Sequence, residues 1–211
     1  MPILDERDFA HVGSKDAGTI RAEDVKASQE FRKFYETLPN VVTAEEMPFE
    51  RSADGLIKHL VHHKMNTRER CVEAYMQFLK PGERSGKHRH MWEEVLFVVE
   101  GEGYDLHWDL KFDCIDAFEW EWSPEPRKFE WQRGDFIYLP PFTMHQHFNA
   151  SAREPARALV IKTKPMYLFM NMLFQHTVEK RPKTPSPTQG NFVPRQEDED
   201  FNHPGDNDHR E

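Results

Sequence analysis

Residues 88–94 read His-Arg-His-Met-Trp-Glu-Glu. Side chains on an extended strand alternate between its two faces. His88 and His90 therefore share a face, Glu94 joins them, and Glu93 points the other way. Two imidazoles and a carboxylate converging on one point are borderline-to-hard donors, the set a divalent first-row metal prefers. Leu96 and Val98 continue that face as an apolar wall, while Val95, Phe97 and Val99 make the opposite face apolar as well. The strand is thus expected to be covered on both sides. A fourth donor must come from elsewhere, and the stretch from Gly134 to Asn149 offers His145, just after a proline turn. His147 shares parity with His145 and Asn149. It is a candidate proton shuttle, substrate contact or partner that fixes a ligand tautomer, or simply a packed imidazole. Arg89 and Gln146 face away and read as structural.

These residues need a rigid frame. Between residues 55 and 163, short runs rich in branched and aromatic residues recur between Gly, Pro and Asp, as in "EEVLFVVEGEG", "FEWEW", "FIYLPP" and "ALVIKT". Many short strands at this spacing indicate an all-β sandwich or barrel. The run beginning "GLIKHLVHH" also fits a helix, but Gly55 before it and the next strand soon after favour a strand. Upstream, Phe31, Phe34, Tyr35 and Leu38 fall at i, i+3, i+4 and i+7. With Thr19 as N-cap and Pro39 as stop, they predict an amphipathic helix packing on the outside of the core. Phe169, Met172, Leu173 and His176 predict a second, short helix. The expected organisation is an arm and helix over 1–54, a barrel over 55–165, a short helix over 166–180, and a polar, Pro-rich, acidic tail over 181–211 that is too poor in apolar residues to fold alone. His203 and His209, in that tail, are read as solvated. His59, His62, His63 and His107, taken singly, read as ordinary surface or core imidazoles.

Composition narrows the function. The chain has 211 residues and a formal net charge of −9, which argues against nucleic acid as a partner because phosphate backbones need clustered Lys and Arg. No apolar run approaches the roughly 18–20 residues that span a bilayer, so no membrane partner is expected. The start lacks a basic segment followed by an apolar one. Its two cysteines, Cys71 and Cys114, suit reduced thiols better than a disulfide framework. The expected location is the cytoplasm.

The fixed positions then show a family resemblance. Gly82, His88, His90, Glu94 and Gly101 keep the spacing of the first cupin motif, and Gly134, Pro140, His145 and Asn149 keep that of the second. The departure is Phe142, where the second motif usually has glycine. The likeness extends to about residues 55–163. It implies a double-stranded β-helix, the jelly-roll cupin barrel, with one divalent metal ion bound by His88, His90, Glu94 and His145. Fe(II) is expected, and Mn, Ni or Zn are alternatives. Three neutral imidazoles and one carboxylate leave a divalent ion near plus one, which favours an anionic, chelating substrate. The surrounding sequence is also similar to gentisate-dioxygenase-like cupins, although gentisate dioxygenases typically have two cupin units and lack the glutamate ligand. The expected function is a metal-dependent dioxygenase acting on a small chelating organic acid, phenolic or thiol compound, with O₂ as co-substrate. His147, Tyr104 and Tyr75 are candidates for proton transfer or substrate orientation. Two alternatives stand beside it: a non-redox lyase, isomerase or hydrolase, and a non-catalytic metal- or ligand-binding cupin. A homodimer is expected.

Overall fold

The computed structural model describes residues 19–181 apart from 53, 66, 68–70, 114, 117 and 118. The arm before residue 19, most of the tail with His203 and His209, and Cys114 lie outside the described residues. Two compact units are present, Met1–Pro39 and Asn40–Glu211. In the first, helix α1 spans Ile20–Glu36, and Phe31 and Tyr35 meet one turn apart with ring centroids 5.1 Å from each other. Thr19 precedes the helix but its side chain makes no capping bond. No helix among the described residues is long and apolar enough to cross a membrane.

The second unit is a jelly-roll barrel of antiparallel strands. One sheet has the order β1-β2-β3-β12-β5-β10. It comprises β1 (Phe49–Ser52), β2 (Gly55–Val61), β3 (Glu73–Leu79), β12 (Ala156–Lys162), β5 (Glu94–Glu100) and β10 (Phe136–Leu139). The other has the order β13-β4-β11-β6-β9. Its strands are β13 (Gln175–Glu179), β4 (Lys87–His90), β11 (Met144–Asn149), β6 (Glu102–Trp108) and β9 (Arg127–Gln132). A separate hairpin pairs β7 (Leu110–Asp113) with β8 (Glu119–Trp122).

Period-two patterning sets the core. Ile57, Leu79, Leu96, Val98, Ile137, Leu139, Val160 and Trp131 point inward and form one apolar cluster with Tyr75 and Ala156. Each fully buried side chain of this size contributes about 1.5–3 kcal/mol. Leu96 and Val98 on β5 are 3% and 1% exposed, but Phe97 on its outer face is 44% exposed, so that strand is covered on one side rather than two.

The region after the barrel also differs from expectation. The second helix, α2, is short and early, spanning Lys164–Phe169 with Pro165 in its first turn. Asn171 then turns the backbone at a φ of 55°, and residues 175–179 form β13, which pairs Gln175 with His90. Spacing suggestive of a helix loses here to an open edge on β4 that needs a hydrogen-bonding partner.

Gly82, Gly101 and Gly134 have φ values of 68°, 88° and 94°, at the strand junctions where left-handed backbone is needed. Phe142 holds the same kind of turn at a φ of 63° without being glycine. Its N–H donates to the His90 carbonyl at 2.7 Å, the Trp122 indole N–H donates to its own carbonyl at 3.0 Å, and its ring packs near Trp120 and Phe174.

Candidate metal centre

Strands β4 and β11 are neighbours, and His88 lies directly across from His145. Strand β5, in the facing sheet, carries Glu94 across the barrel. The ligand atoms of His88, His90, Glu94 and His145 all lie within 4.8 Å of one another, and none of the four residues is more than 1% exposed. The structure therefore brings together the four residues that the motifs single out.

Each of the three imidazoles is held the same way. Nδ1–H of His88 donates to the Gly86 carbonyl at 3.2 Å, that of His90 to Trp92 at 2.9 Å, and that of His145 to Thr143 at 2.9 Å. A main-chain acceptor on Nδ1 fixes the tautomer and leaves Nε2 with its lone pair pointing inward. The indole of Trp92 stacks on His90, with centroids 4.6 Å apart and planes 5° from parallel, and further locks that ring. Nε2 of His88, Nε2 of His145 and Oε1 of Glu94 are buried without a hydrogen-bond partner. Nε2 of His90 faces Glu94 Oε2 at 3.0 Å, and Nε2 of His88 faces Asp54 Oδ1 at 3.2 Å. A neutral imidazole whose proton is on Nδ1 has none to give these oxygens. A cation at the centre of the four ligand residues gives the inward-facing Nε2 atoms and the Glu94 carboxylate their missing partner, so the donor set fits a divalent metal.

Burial pushes the pKa values of His88, His90 and His145 down, His145 well below its ordinary value, so all three are kept neutral as ligands must be. The carboxylates are handled oppositely. Burial alone would raise Glu94, but the Lys162 ammonium 3.1 Å away, with His147, holds it well below the usual carboxylate range. Asp54 is likewise lowered against burial by Lys162 at 3.3 Å.

His147 is unlike its neighbour His145. Its Nδ1 donates to Asp105 Oδ2 at 2.9 Å, and its Nε2 stands 3.7 Å from Glu94 Oε1. Burial would lower its pKa, but Asp105 and Glu94 outweigh that and raise it to about 10. The two histidines of "HQH" thus divide into a neutral donor and an imidazolium. Asp105 is fixed in turn by the Trp131 indole N–H at 2.8 Å. That indole lies against Gly103, where a Cβ would overlap both the Trp131 ring and the Phe148 carbonyl oxygen.

Of the two tyrosines, Tyr75 lies at the site. It is 3% exposed and donates to Asp54 Oδ2 at 3.3 Å, and burial with Asp54 beside it pushes its pKa well up, so it remains a phenol. Tyr104 does not. On β6 the inward parity belongs to Gly103, Asp105 and His107, whereas Tyr104 stacks on Phe148 at 4.6 Å on the outer face under Lys128. This corrects its expected role in catalysis.

Sequence reasoning missed Asp54, Lys162 and Asp105, and underrated His107, which is 4% exposed with its ring 6.4 Å from His145. Asp105 and His107 could have been found, because they are polar residues on the inward parity of "GYDLHW". Asp54 reads only as part of a turn and Lys162 only as a strand end, since their pairing with Glu94 depends on contacts between distant parts of the chain.

A family model described as auxin binding protein matches residues 35–187. Auxin-binding protein T85 of Nicotiana tabacum is 24% identical over 151 residues, covering 68% of this chain and 75% of that protein. Gentisate 1,2-dioxygenase of a Ralstonia species is 26% identical over 156 residues, 72% of this chain but 39% of that enzyme. Among solved structures, salicylate 1,2-dioxygenase from Pseudaminobacter salicylatoxidans superposes with a TM-score of 0.45 at 18% identity, over 78% of this chain and 50% of that one. With the family model spanning well over half its length, this chain belongs to the auxin binding protein family of the cupin superfamily.

Proposed function

We propose that the protein is a metal-dependent dioxygenase of a small chelating organic acid, with Fe(II) held by His88, His90, Glu94 and His145. The observation that carries this reading is the set of three imidazoles whose Nδ1 protons are tied to main-chain carbonyls and whose free Nε2 atoms converge on a buried carboxylate. When bound, Fe(II) would have open coordination positions for small-molecule ligands and would supply the redox chemistry that O₂ activation needs. The protein's own residues orient and protonate. His147, charged and anchored on Asp105, holds a proton beside Glu94 for transfer to a substrate oxygen. Tyr75, kept as a phenol, orients the Asp54 carboxylate by donating its hydroxyl hydrogen to it. Lys162 offsets part of the charge of Glu94 and Asp54, which it faces at 3.1 and 3.3 Å, in a low-dielectric barrel.

Access is consistent with such a substrate. A groove of about 540 Å³ is lined by His107, Arg127, Phe129 and Tyr138, and also by the carboxylates of Asp109, Glu130 and Asp135. His107 lines this groove with its ring 6.4 Å from that of His145, and Phe129 and Tyr138 offer rings for an aromatic body, while the guanidinium of Arg127 is paired with Asp109 at 2.6 Å. Similarity to gentisate 1,2-dioxygenase supports an aromatic acid as the substrate class.

A second reading, a ligand-binding cupin without catalysis, is favoured by the likeness to auxin-binding proteins. Anaerobic loading with Fe(II), followed by O₂-electrode assays with gentisate, salicylate and an auxin, separates the two. Stoichiometric O₂ uptake with one of these acids is expected. Tight binding by calorimetry with no O₂ consumption moves the assignment to the second reading, and product formed without O₂ moves it to a lyase or isomerase. A cytoplasmic homodimer belongs to the same proposal, and sedimentation of the purified chain tests its oligomeric state.

A further inference from the structure

A second cluster of metal-type donors lies apart from the four residues of the barrel centre. Strand β2 ends at Val61, which pairs with Ala74 on β3, and the chain then turns through His62 and His63. That turn sets both imidazoles beside Glu73, the first residue of β3. One ligand atom from each of the three lies within 4.8 Å of the others. The His62 and His63 rings are 4.2 Å apart, and His62 Nε2 stands 3.7 Å from Glu73 Oε2. Two donors on a tetrahedral ion with bonds of about 2.0–2.1 Å sit about 3.3 Å apart, so a small closure of the turn suffices.

We propose that His62, His63 and Glu73 form a second, solvent-accessible site for a divalent first-row cation, independent of the barrel centre. Two imidazoles and one carboxylate are the three-ligand pattern that leaves a position open to water or an incoming donor. Glu73 supplies the observation that points to a ligand. It is 5% exposed, yet Oε2, the oxygen turned to the imidazoles, has no hydrogen-bond partner. Its other oxygen, Oε1, is the one that faces the Lys164 ammonium, at 3.8 Å. Both histidines are partly exposed, so an ion can enter from solvent without opening the barrel. His62 is also kept neutral, because burial lowers its pKa to about 3.

This site is weaker than the inner one, for a visible reason. Nδ1 of His62 accepts from the Lys64 main-chain N–H at 3.2 Å, so its ring proton stays on Nε2. Coordination through Nε2 must move that proton to Nδ1 and give up this contact, whereas the inner imidazoles already carry theirs on Nδ1. His59 is not a ligand here, because its Nε2 is taken by Glu50 at 2.5 Å.

Equilibrium dialysis of the full chain against Zn²⁺ near neutral pH, with bound metal counted per chain, tests the proposal. Wild type is expected to bind two equivalents, the second more weakly by at least tenfold. His62→Asn with His63→Asn, both on a partly exposed turn, should bind only the tighter one, and Glu73→Gln should lose the same weak equivalent. A double His88→Ala, His145→Ala chain should keep only the weak one. If wild type takes up a single equivalent that the His62→Asn, His63→Asn chain retains, or if a second equivalent survives those substitutions, the proposal is overturned. Failure of the inner pair to change binding would instead sink the barrel-centre reading and leave this one intact.

Discussion

The two sheets of the barrel contribute opposite things to one centre. The sheet containing β4, β11 and β6 brings the three neutral ligand imidazoles, whose orientation is set by its own main chain, and the His147–Asp105 pair, whose charges offset each other. The sheet containing β3, β12 and β5 brings charge: Glu94 and Lys162, with Tyr75 nearby, and Asp54 in the β1–β2 turn adds a second carboxylate. Imidazoles fixed by carbonyls have their ring hydrogen satisfied within the fold, and the bare Nε2 atoms of His88 and His145 await a partner. Buried carboxylates cost several kcal/mol unless paired, and Lys162 supplies the pairing when no ion is present. One sheet preorganises the donors, and the other balances the field they act in.

This division can be broken from either side. The largest expected effect is His145→Ala, which removes a preset donor. Retained metal should fall by more than the roughly 10–100-fold seen when only an outer partner of a ligand is lost, as read by dialysis, and oxygenase turnover should fall with it. Lys162→Met attacks the charged sheet and should act in two directions. Breaking a buried ion pair typically costs about 3–5 kcal/mol, so metal-free protein should unfold at lower denaturant. The bound ion, no longer facing an ammonium, should be held more tightly. If both quantities move the same way, Lys162 is not the counter-ion described.

Asp105→Asn should cost turnover about 10–100-fold by releasing His147, while bound metal stays near one equivalent at the inner site. Acid should have a smaller, graded effect. Neutral Nε2 atoms are required for binding, so protons compete and affinity falls as pH falls. Because burial lowers the pKa values of His88, His90 and His145, release in a dialysis series should begin below the ordinary imidazole value of about 6.5. Release centred above that value would contradict the burial seen here. The smallest effect concerns the turn before His145. Phe142→Ala should destabilise the chain more than Phe142→Gly, by about 1–2 kcal/mol, since only glycine relaxes the left-handed backbone.

The barrel and the ring of donors were legible because both rest on local rules. Strand alternation put His88, His90 and Glu94 on one face, and motif spacing added His145. Phe142 shows the limit of such rules. Its identity suggests a different loop, yet the backbone keeps the turn because His90, Trp122 and neighbouring rings hold it. The second helix was misread for a related reason: apolar spacing over 169–176 cannot report that β4 has an unpaired edge. Lys162 and Asp54 were invisible because they meet 108 positions apart, and no residue near either announces the other.

Gly103 carries a consequence for how this protein would be mapped by mutation. It holds no donor, carries no charge and contacts no ligand atom, yet any larger residue there must displace the Trp131 ring that steadies Asp105. Replacing it with alanine should mimic damage to the Asp105–His147 pair itself, and a map drawn by nearness to the four ligand residues would overlook one of its controls.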